Sequence, residues 1–247
     1  MCTACRVLQV GLSPNVITYN SLISALAQGG EGEKAVALLH AMRSAGVPPD
    51  VVSYSAAISG CEKGGDWARA LSLLHEDMRA AGVAPDVYCF STAISACAKG
   101  GQSEQAVSLL DEMRSAGILP NVYSFSSAIT ACAKGGQWER ALSLLDEMSE
   151  AGVQPNEITY NSCIYACEKG GQWERALSLL DEMRTSGIAP SLITFEGAIA
   201  ACKSVGRWEA AGAVEAGRDE VGCTEPGVSC EWPQSLSFNA AISRAKR

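Results

Sequence analysis

Three classes of side chain recur along this 247-residue chain at a spacing of about 35 residues. Small polar side chains, able to hydrogen-bond a base edge, form the first class: Asn20, Ser55, Ser91, Ser126 and Asn161. Three residues before each stands an apolar or aromatic side chain, and this series has one further member: Ile17, Val52, Tyr88, Tyr123, Ile158 and Ile193. Eight residues after the polar residue, four segments carry a lysine: Lys63, Lys99, Lys134 and Lys169. Flat apolar surfaces, small polar groups and a row of cations are the groups that contact single-stranded nucleic acids.

The spacing comes from an internal repeat of the whole chain. Five consecutive blocks span residues 16–50, 51–86, 87–121, 122–156 and 157–191, and KGGQWERALSLLDEM occurs at both 134–148 and 169–183. We interpret residues 1–15 as the end of a preceding partial repeat and residues 235–247 as the start of a truncated seventh repeat. Residues 192–234 are predicted to form a degenerate sixth repeat with a loop over 217–234. Because the chain starts and stops within a repeat, we expect it to be a piece of a longer array, or the product of a gene model that lacks its ends.

Each block has the pattern of two helices joined by glycines. In the first helix, an aromatic residue at the fourth place and isoleucine at the eighth, such as Tyr19 and Ile23, share one face. A Gly-Gly pair ends this helix. The second helix places apolar residues such as Leu144, Leu145 and Met148 on one face. A Gly-x-x-Pro sequence then ends the second helix. One hairpin cannot bury its apolar face alone. The sequence therefore predicts an all-α solenoid of stacked helix-turn-helix repeats with a concave side.

The second block differs from the others by one extra residue. It reads HEDM over residues 75–78, where three other repeats read DEM. One inserted residue turns the rest of a helix by about 100°. We therefore expect a π-type bulge or an early helix end near Asp77.

The cysteines and histidines indicate neither a metal site nor an enzyme. Six cysteines occupy places where the repeat pattern predicts small buried residues: Cys61, Cys97, Cys132, Cys163, Cys167 and Cys202. The Cys2-x-x-Cys5 pair has no second pair at zinc-site spacing. His40 and His75 lie at a surface place of the second helix, and the His-x-Glu and Pro-Cys-x-x-Cys motifs of zinc deaminases are missing. We expect no catalytic residue, no metal, no cofactor and no small-molecule substrate.

A 35-residue helical hairpin reading V-x-T-Y-N…K-G-G…A-L-x-L-L-x-E-M…G-V-x-P-D resembles the pentatricopeptide repeat family. The resemblance covers about residues 10–205 and again 235–243. Tetratricopeptide repeats are a neighbouring family, but they have a 34-residue period and place their aromatic residues and glycines differently. The resemblance implies a right-handed superhelical solenoid that binds single-stranded RNA, one base per repeat.

In that family, the fifth residue and the last residue of a repeat together select a base through its Watson–Crick edge. The corresponding pairs in this sequence are Asn20 with Asp50, Ser55 with Asp86, Ser91 with Asn121, Ser126 with Asn156, and Asn161 with Ser191. The resemblance implies that these pairs select uracil, guanine, adenine, adenine and cytosine, which gives the tract 5′-UGAAC-3′. Glu196, at the fifth place of the sixth repeat, implies no base.

The second, fifth, ninth and thirteenth places of the first helix share one stripe. We therefore expect the second-place residues defined above to stack on bases and the four lysines to contact phosphates. Simpler roles remain open. The last residues of the repeats could be N-caps, although other caps stand three residues later: Thr18, Ser53, Ser124 and Thr159. The lysines could form an ordinary solvated face, and Tyr88 and Tyr123 could pad the repeat junctions.

The acidic residues and the tryptophans are unevenly distributed within the repeats. The chain has a net charge of −8, yet the first fourteen residues of the six repeats carry five lysines and four acids. The acidic excess therefore lies elsewhere, largely on the second helices. The tryptophans that begin second helices are expected to pack rather than to stack with a ligand: Trp67, Trp138, Trp173 and Trp208. No apolar run approaches eighteen residues, so we expect no membrane span.

The leading hypothesis is sequence-selective binding of single-stranded RNA in RNA processing, stability or translation, with trans-acting RNA-processing enzymes as further partners. The alternative is a helical-repeat scaffold for protein–protein interactions. The family resemblance implies a chloroplast or mitochondrial location.

Overall fold

The computed structural model of the protein describes residues 14–221, with side chains to residue 219. In this part of the chain, twelve helices form six hairpins and there is no strand. The first helices are α1 (Val16–Gln28), α3 (Val51–Gly64), α5 (Val87–Lys99), α7 (Val122–Lys134), α9 (Glu157–Lys169) and α11 (Leu192–Ser204). The second helices are α2 (Gly32–Ser44), α4, α6 (Ser103–Ser115), α8 (Trp138–Glu150), α10 (Trp173–Thr185) and α12 (Trp208–Val221). Helix α4 comprises Trp67–Ser72, a π-helical segment Leu73–Asp77, and Met78–Ala80. The all-α helical-repeat fold predicted from the sequence is confirmed.

The core is built from the places that the periodicity assigns to it. The aromatic residue at the fourth place is buried in every repeat: Tyr19, Tyr54, Phe90, Phe125, Tyr160 and Phe195. The isoleucines at the eighth place are also buried: Ile23, Ile58, Ile94, Ile129, Ile164 and Ile199. Full burial of such a side chain contributes about 1.5–3 kcal/mol, so these twelve residues make a large hydrophobic contribution to folding.

The chain divides into two compact units between Ser127 and Ala128. In the first unit, α3 packs against its own partner α4, against both helices of the preceding hairpin, and against α5. In the second unit, α9 packs in the same way against α8, α10 and α11. First helices thus lie beside first helices, which sets their equivalent faces next to each other within each unit. No helix in residues 14–221 combines the length and apolar character needed to cross a membrane.

The extra residue of the second repeat is accommodated by the π-helical segment Leu73–Asp77, as predicted. The wider turn absorbs one residue, so Met78 returns to the core and is fully buried. The carbonyl oxygen of Asp77 accepts a hydrogen bond from the Tyr54 hydroxyl at 3.2 Å. The bulge therefore restores the register of the second helix with the rest of the repeat.

Glycine is required at two kinds of position. Gly46 ends α2 with a φ of 76°, and the N–H of Val47 reaches back to the carbonyl of Met42 at 3.1 Å. Gly100 lies against the indole of Trp67, where a Cβ would come within 2.2 Å of the ring. Gly170 meets Trp138 in the same way. The packing role predicted for these two tryptophans is confirmed, whereas Trp208, in the last described hairpin, is exposed.

The sixth repeat departs from the prediction of a loop beginning at Gly217. Helix α12 continues through that glycine to Val221, so the loop prediction is wrong for residues 217–221. Gly217 is buried and the residues that follow it, Arg218 and Asp219, are compatible with a helix. The expectations for residues 1–13, for the loop over 222–234 and for the seventh repeat at 235–247 lie outside the described residues.

The six cysteines predicted to be buried thiols are buried, and so is Cys89, which the repeat pattern did not account for. Burial raises the pKa of the eleventh-place thiols to about 11: Cys61, Cys97, Cys132, Cys167 and Cys202. Burial likewise raises the pKa of Cys89 to about 12 and that of Cys163 well above its usual range. These side chains are neutral at physiological pH and act as small apolar residues.

Candidate nucleic-acid interface

The second place of each first helix carries an exposed apolar or aromatic side chain. Their exposed fractions run from 49% to 74%: Ile17, Val52, Tyr88, Tyr123, Ile158 and Ile193. Scattered exposed apolar residues need no explanation, but the same place in six consecutive repeats is a pattern. These side chains are available to lie against the flat face of a base.

In the first repeat, the predicted base-selecting residues are in direct contact. The Nδ2 of Asn20 donates to Oδ1 of Asp50 at 3.1 Å, although the two residues are thirty positions apart. The contact forms because α1 packs alongside α3, and Asp50 stands at the start of α3. Both side chains are half-buried. They present N–H donors and carboxylate acceptors side by side, as a base edge requires.

The other pairs differ from this arrangement. The Ser91 hydroxyl reaches Oδ1 of Asn121 only at 3.5 Å, the limit of a hydrogen bond. Ser55 instead donates to the carbonyl of Val52 in its own helix at 3.1 Å. Asn161 donates from Nδ2 to Glu157 at 3.4 Å, while its Oδ1 is buried without a hydrogen-bond partner.

The exposure of the fifth-place side chain also differs among the five repeats. Ser55 and Asn161 are half-buried like Asn20, whereas Ser91 is only 1% exposed and Ser126 only 5%. A base edge can reach those two serine hydroxyls only if the protein opens locally around them. The prediction of direct readout at repeats 3 and 4 therefore carries a conformational requirement that repeats 1 and 2 do not share. In repeat 5 the same requirement applies to Oδ1 of Asn161, which is buried.

Four of the last-place residues cap the helices that follow them. The backbone N–H groups of Ser53, Cys89, Ser124 and Thr159 donate to the side-chain oxygens of Asp50, Asp86, Asn121 and Asn156 at 2.9–3.0 Å. The expectation that serine or threonine three residues later would replace them as caps is wrong. At Ser53 and Thr159, the hydroxyls instead complete capping boxes. Aspartate and asparagine have a second polar side-chain atom, so capping does not prevent a contact with a base.

Hydrogen bonds control the charge of Asp50. Burial alone would raise its pKa, but the hydrogen bonds donated by Ser53, Asn20 and the Val52 backbone outweigh burial and lower it. Asp50 is therefore ionised at neutral pH and acts purely as an acceptor. Ser191, the last residue of repeat 5, instead pairs its hydroxyl with that of Thr194 at 3.3 Å.

The four lysines predicted to contact phosphates are exposed, but their surroundings differ. Lys99 forms a 2.6 Å ion pair with Glu62, a largely buried carboxylate that also accepts from the Ser95 hydroxyl. Lys169 lies 3.8 Å from Glu168. Lys63 forms no ion pair with any described residue. A carboxylate next to a lysine reduces its attraction for phosphate, so the lysines are not equivalent along the repeats.

Two features of the candidate interface were missed in the sequence. Tyr165 holds the ninth place of repeat 5, where the other repeats have serine, threonine or alanine, and it is 40% exposed with Lys169 over its ring at 5.1 Å. An aligned comparison of the ninth places would have found it. The second feature is Ser53, a buried serine whose hydroxyl contacts both Asn20 and Asp50. No local pattern reveals this contact, because it joins neighbouring repeats.

Two sequence models of known repeat families match the part of the chain that contains the repeats. The sequence model of the PPR repeat family matches residues 14–63 and 49–99. The model of the pentacotripeptide-repeat region of PRORP matches residues 90–230. No curated protein sequence matches the chain.

Solved structures are similar along most of the chain. The pentatricopeptide repeat protein PPR10 from maize is 26% identical with a TM-score of 0.67, over 99% of this chain and 35% of that one. The chain thus spans about a third of the length of PPR10. PPR10 in complex with an 18-nt psaJ RNA element matches at 23% identity and a TM-score of 0.53, over 89% of this chain and 38% of that one. The PPR domain of Arabidopsis thaliana PRORP1, in complex with tRNA, matches at 18% identity and a TM-score of 0.62, over 70% of this chain and 91% of that one.

Proposed function

The chain belongs to the pentatricopeptide repeat family, and from this premise we propose that it binds single-stranded RNA in a sequence-selective manner, one base per repeat. Similar structures contain RNA: PPR10 holds an 18-nt psaJ element, and the PRORP1 domain holds tRNA. The predicted role of the bound chain is to protect or remodel its RNA, or to recruit a separate RNA-processing enzyme. The chain itself supplies no chemistry to the RNA.

The arrangement in the first repeat is the observation that supports this proposal most directly. Ile17 is exposed on α1, and Asn20 lies one turn further along the same face. Asn20 donates to Asp50 at 3.1 Å, which brings two polar groups beside an apolar surface. A base can stack on the apolar side chain while its edge meets the polar pair.

We propose 5′-UGAAC-3′ as the preferred tract, with uracil at repeat 1 and cytosine at repeat 5. The partly exposed fifth residues at repeats 1, 2 and 5 favour direct readout there. At repeats 3 and 4, reading adenine requires the local opening described above. If each base contributes about 1–2 kcal/mol, five repeats give roughly 5–10 kcal/mol, which corresponds to dissociation constants from about 0.2 mM to about 50 nM.

Fluorescence anisotropy with labelled oligonucleotides tests the proposal. The protein is titrated against RNA containing UGAAC, against RNA with the same five bases scrambled, and against the DNA equivalent. We expect the UGAAC RNA to bind most tightly. Equal affinity for all three would overturn sequence-selective RNA binding and leave the protein-scaffold function as the remaining candidate.

A pair of variants separates base reading from general surface effects. Replacing Asn20 with Ser in one variant and Asn161 with Ser in another is expected to shift the preferred base at the first and fifth tract positions, respectively. Glu112→Gln changes an exposed residue of the second helix α6 and is the matched control, which should leave base preference unchanged.

We further propose that the RNA is organellar, from a chloroplast or mitochondrion, as the family implies. Sequencing the RNA that co-precipitates with the tagged protein from fractionated cells tests this. Enrichment of organellar transcripts is expected, and enrichment of nuclear-encoded transcripts alone would contradict it.

A further inference from the structure

We propose that Ser53, the third residue of repeat 2, is a positioning residue that fixes the base-selecting amide of Asn20 in repeat 1. This inference rests on the proposed function, because it concerns how that function becomes selective. It adds a third residue, contributed by the next repeat, to the pair formed by Asn20 and Asp50.

The Ser53 hydroxyl lies at the centre of a small hydrogen-bond network. It donates to Oδ1 of Asn20 at 2.6 Å, lies 2.9 Å from Oδ1 of Asp50, and accepts the backbone N–H of Asp50 at 3.2 Å. A hydroxyl has one proton, and Oδ1 of Asp50 already accepts from two nitrogens, Nδ2 of Asn20 and the backbone N of Ser53. The proton therefore belongs to the shorter contact with Asn20. Ser53 itself is fully buried.

These contacts hold the Asn20 amide at both ends. Its oxygen is occupied by Ser53 and one of its N–H groups by Asp50. A half-turn of the amide would place its oxygen against the Asp50 carboxylate, two acceptors in contact, and would remove the hydrogen bond that Nδ2 now donates. The group of Asn20 that is left without a partner is its second N–H, while its oxygen already accepts one hydrogen bond. Ser53 thus fixes the orientation of the amide and favours Asn20 as a donor to the base.

Other repeats show what happens without this contact. In repeat 5, Asn161 also stands at the fifth place, but the hydroxyl of Thr194 pairs with Ser191 instead. Oδ1 of Asn161 is consequently buried without a partner. In repeat 3, the third place is Cys89, and Asp86 still caps its helix through the Cys89 backbone N–H at 2.9 Å. The hydroxyl is thus dispensable for starting the helix, which separates its contact with Asn20 from simple capping.

Ser53→Ala is the test, read out as the ratio of affinities for RNA with cytosine or uracil at the first tract position. The loss of one hydrogen bond is expected to reduce the preference for uracil about two- to tenfold. Ser53→Thr should retain the preference, since threonine fills the same buried place at Thr159 and Thr194.

Ser124→Ala is the matched control for stability. Ser124 is equally buried and its hydroxyl contacts the Asn121 backbone at 2.9 Å, without reaching a fifth-place residue. Both alanine variants should lower the thermal midpoint, but only Ser53→Ala should reduce the preference for uracil. An unchanged preference in Ser53→Ala, or an equal loss in Ser124→Ala, would overturn the positioning role.

A second measurement, in the absence of RNA, separates this inference from the proposed function. In protein labelled with ¹⁵N-asparagine, the Asn20 side-chain amide signals should shift or broaden in Ser53→Ala and stay unchanged in Ser124→Ala. If the wild-type protein bound no RNA, the proposed function would fail, and the amide signals would still decide whether Ser53 orients Asn20. Unchanged Asn20 signals in Ser53→Ala would overturn the inference even if RNA binds.

Discussion

Asn20 and Asn161 hold the same place in their repeats and have the same side chain, yet their surroundings are unlike. Asn20 has partners for both ends of its amide, whereas Oδ1 of Asn161 is buried without one. A buried carbonyl oxygen without a hydrogen bond costs about 1–3 kcal/mol. A base that donates to Asn161 would recover that energy, but it can reach the buried oxygen only after repeat 5 opens locally.

Tyr88 offers the clearest test of base stacking at the residue scale. Tyr88→Ala should weaken RNA binding by about 1–3 kcal/mol, the usual contribution of one stacked base. The thermal midpoint should hardly change, because the side chain is more than half exposed. Leu119→Ala removes another exposed apolar side chain, outside the first helices, and serves as the control. Equal losses of affinity in the two variants, measured by anisotropy, would argue against a specific stacking role.

The candidate site could be predicted from sequence only as far as local periodicity extends. Periodicity places Asn20 and Ile17 on one face of a helix, and the structure agrees with that placement. It does not report burial by the neighbouring repeat, so the near-complete burial of Ser91 and Ser126 could not be foreseen. The network around Ser53 also depends on packing between repeats, since it joins residues 33 positions apart.

At the scale of single elements, the second helix of repeat 2 shows how the fold tolerates a change in length. The π-helical segment Leu73–Asp77 confines the extra residue to one turn, so that Met78 remains fully buried. Without such a turn, every later side chain would rotate by about 100° away from the core.

Deleting Glu76 should convert this segment into regular α-helix and leave the thermal midpoint unchanged or higher, since the DEM-containing repeats fold without the extra residue. Deleting Asp146 from α8 is the matched change in a repeat without a bulge. It should move Met148, which is fully buried, out of the core and lower stability by about 2–5 kcal/mol. Circular dichroism melting curves compare the two. An equally large loss for both deletions would show that the bulge has a structural role of its own.

The helices themselves were largely predictable because their signals are local. Apolar spacing, paired glycines and Gly-x-x-Pro stops mark each hairpin, and the extra residue at 75–78 indicated the bulge. The end of α12 was not predicted, because Gly217 resembles a helix stop. Burial of that glycine in the helix is a tertiary effect that a glycine signal in the sequence does not reveal.

Across the whole molecule, the repeated thiols make stability sensitive to alkaline pH. Five cysteines at the eleventh place have a pKa raised by burial to about 11, against the ordinary value of 9.0. A pKa raised in the folded state means that the unfolded chain loses these protons first. The stabilisation is complete below about pH 8 and is lost progressively as the pH rises toward 11.

The thermal midpoint should therefore fall between about pH 8 and pH 10.5, and it should fall less steeply in Cys97→Ala, which lacks one of these thiols. Tyrosines and lysines also ionise in this range, so the difference between wild type and variant is the informative quantity. Identical slopes in the two proteins would mean that the Cys97 thiol ionises equally in the folded and unfolded chains.

The last residue of a repeat can have two roles, which are to cap the next helix and to contribute to base selection. Asp50 starts the next helix with one oxygen and shares that oxygen with Asn20. Aspartate, asparagine and serine start helices almost equally well, while an alanine there would cost about 0.5–2 kcal/mol. Substitutions among these three residues are thus nearly neutral for folding. Under the proposed function, each such substitution changes the RNA base that the repeat prefers. The base preference can accordingly change in one repeat at a time, by evolution or by protein engineering, without loss of fold stability.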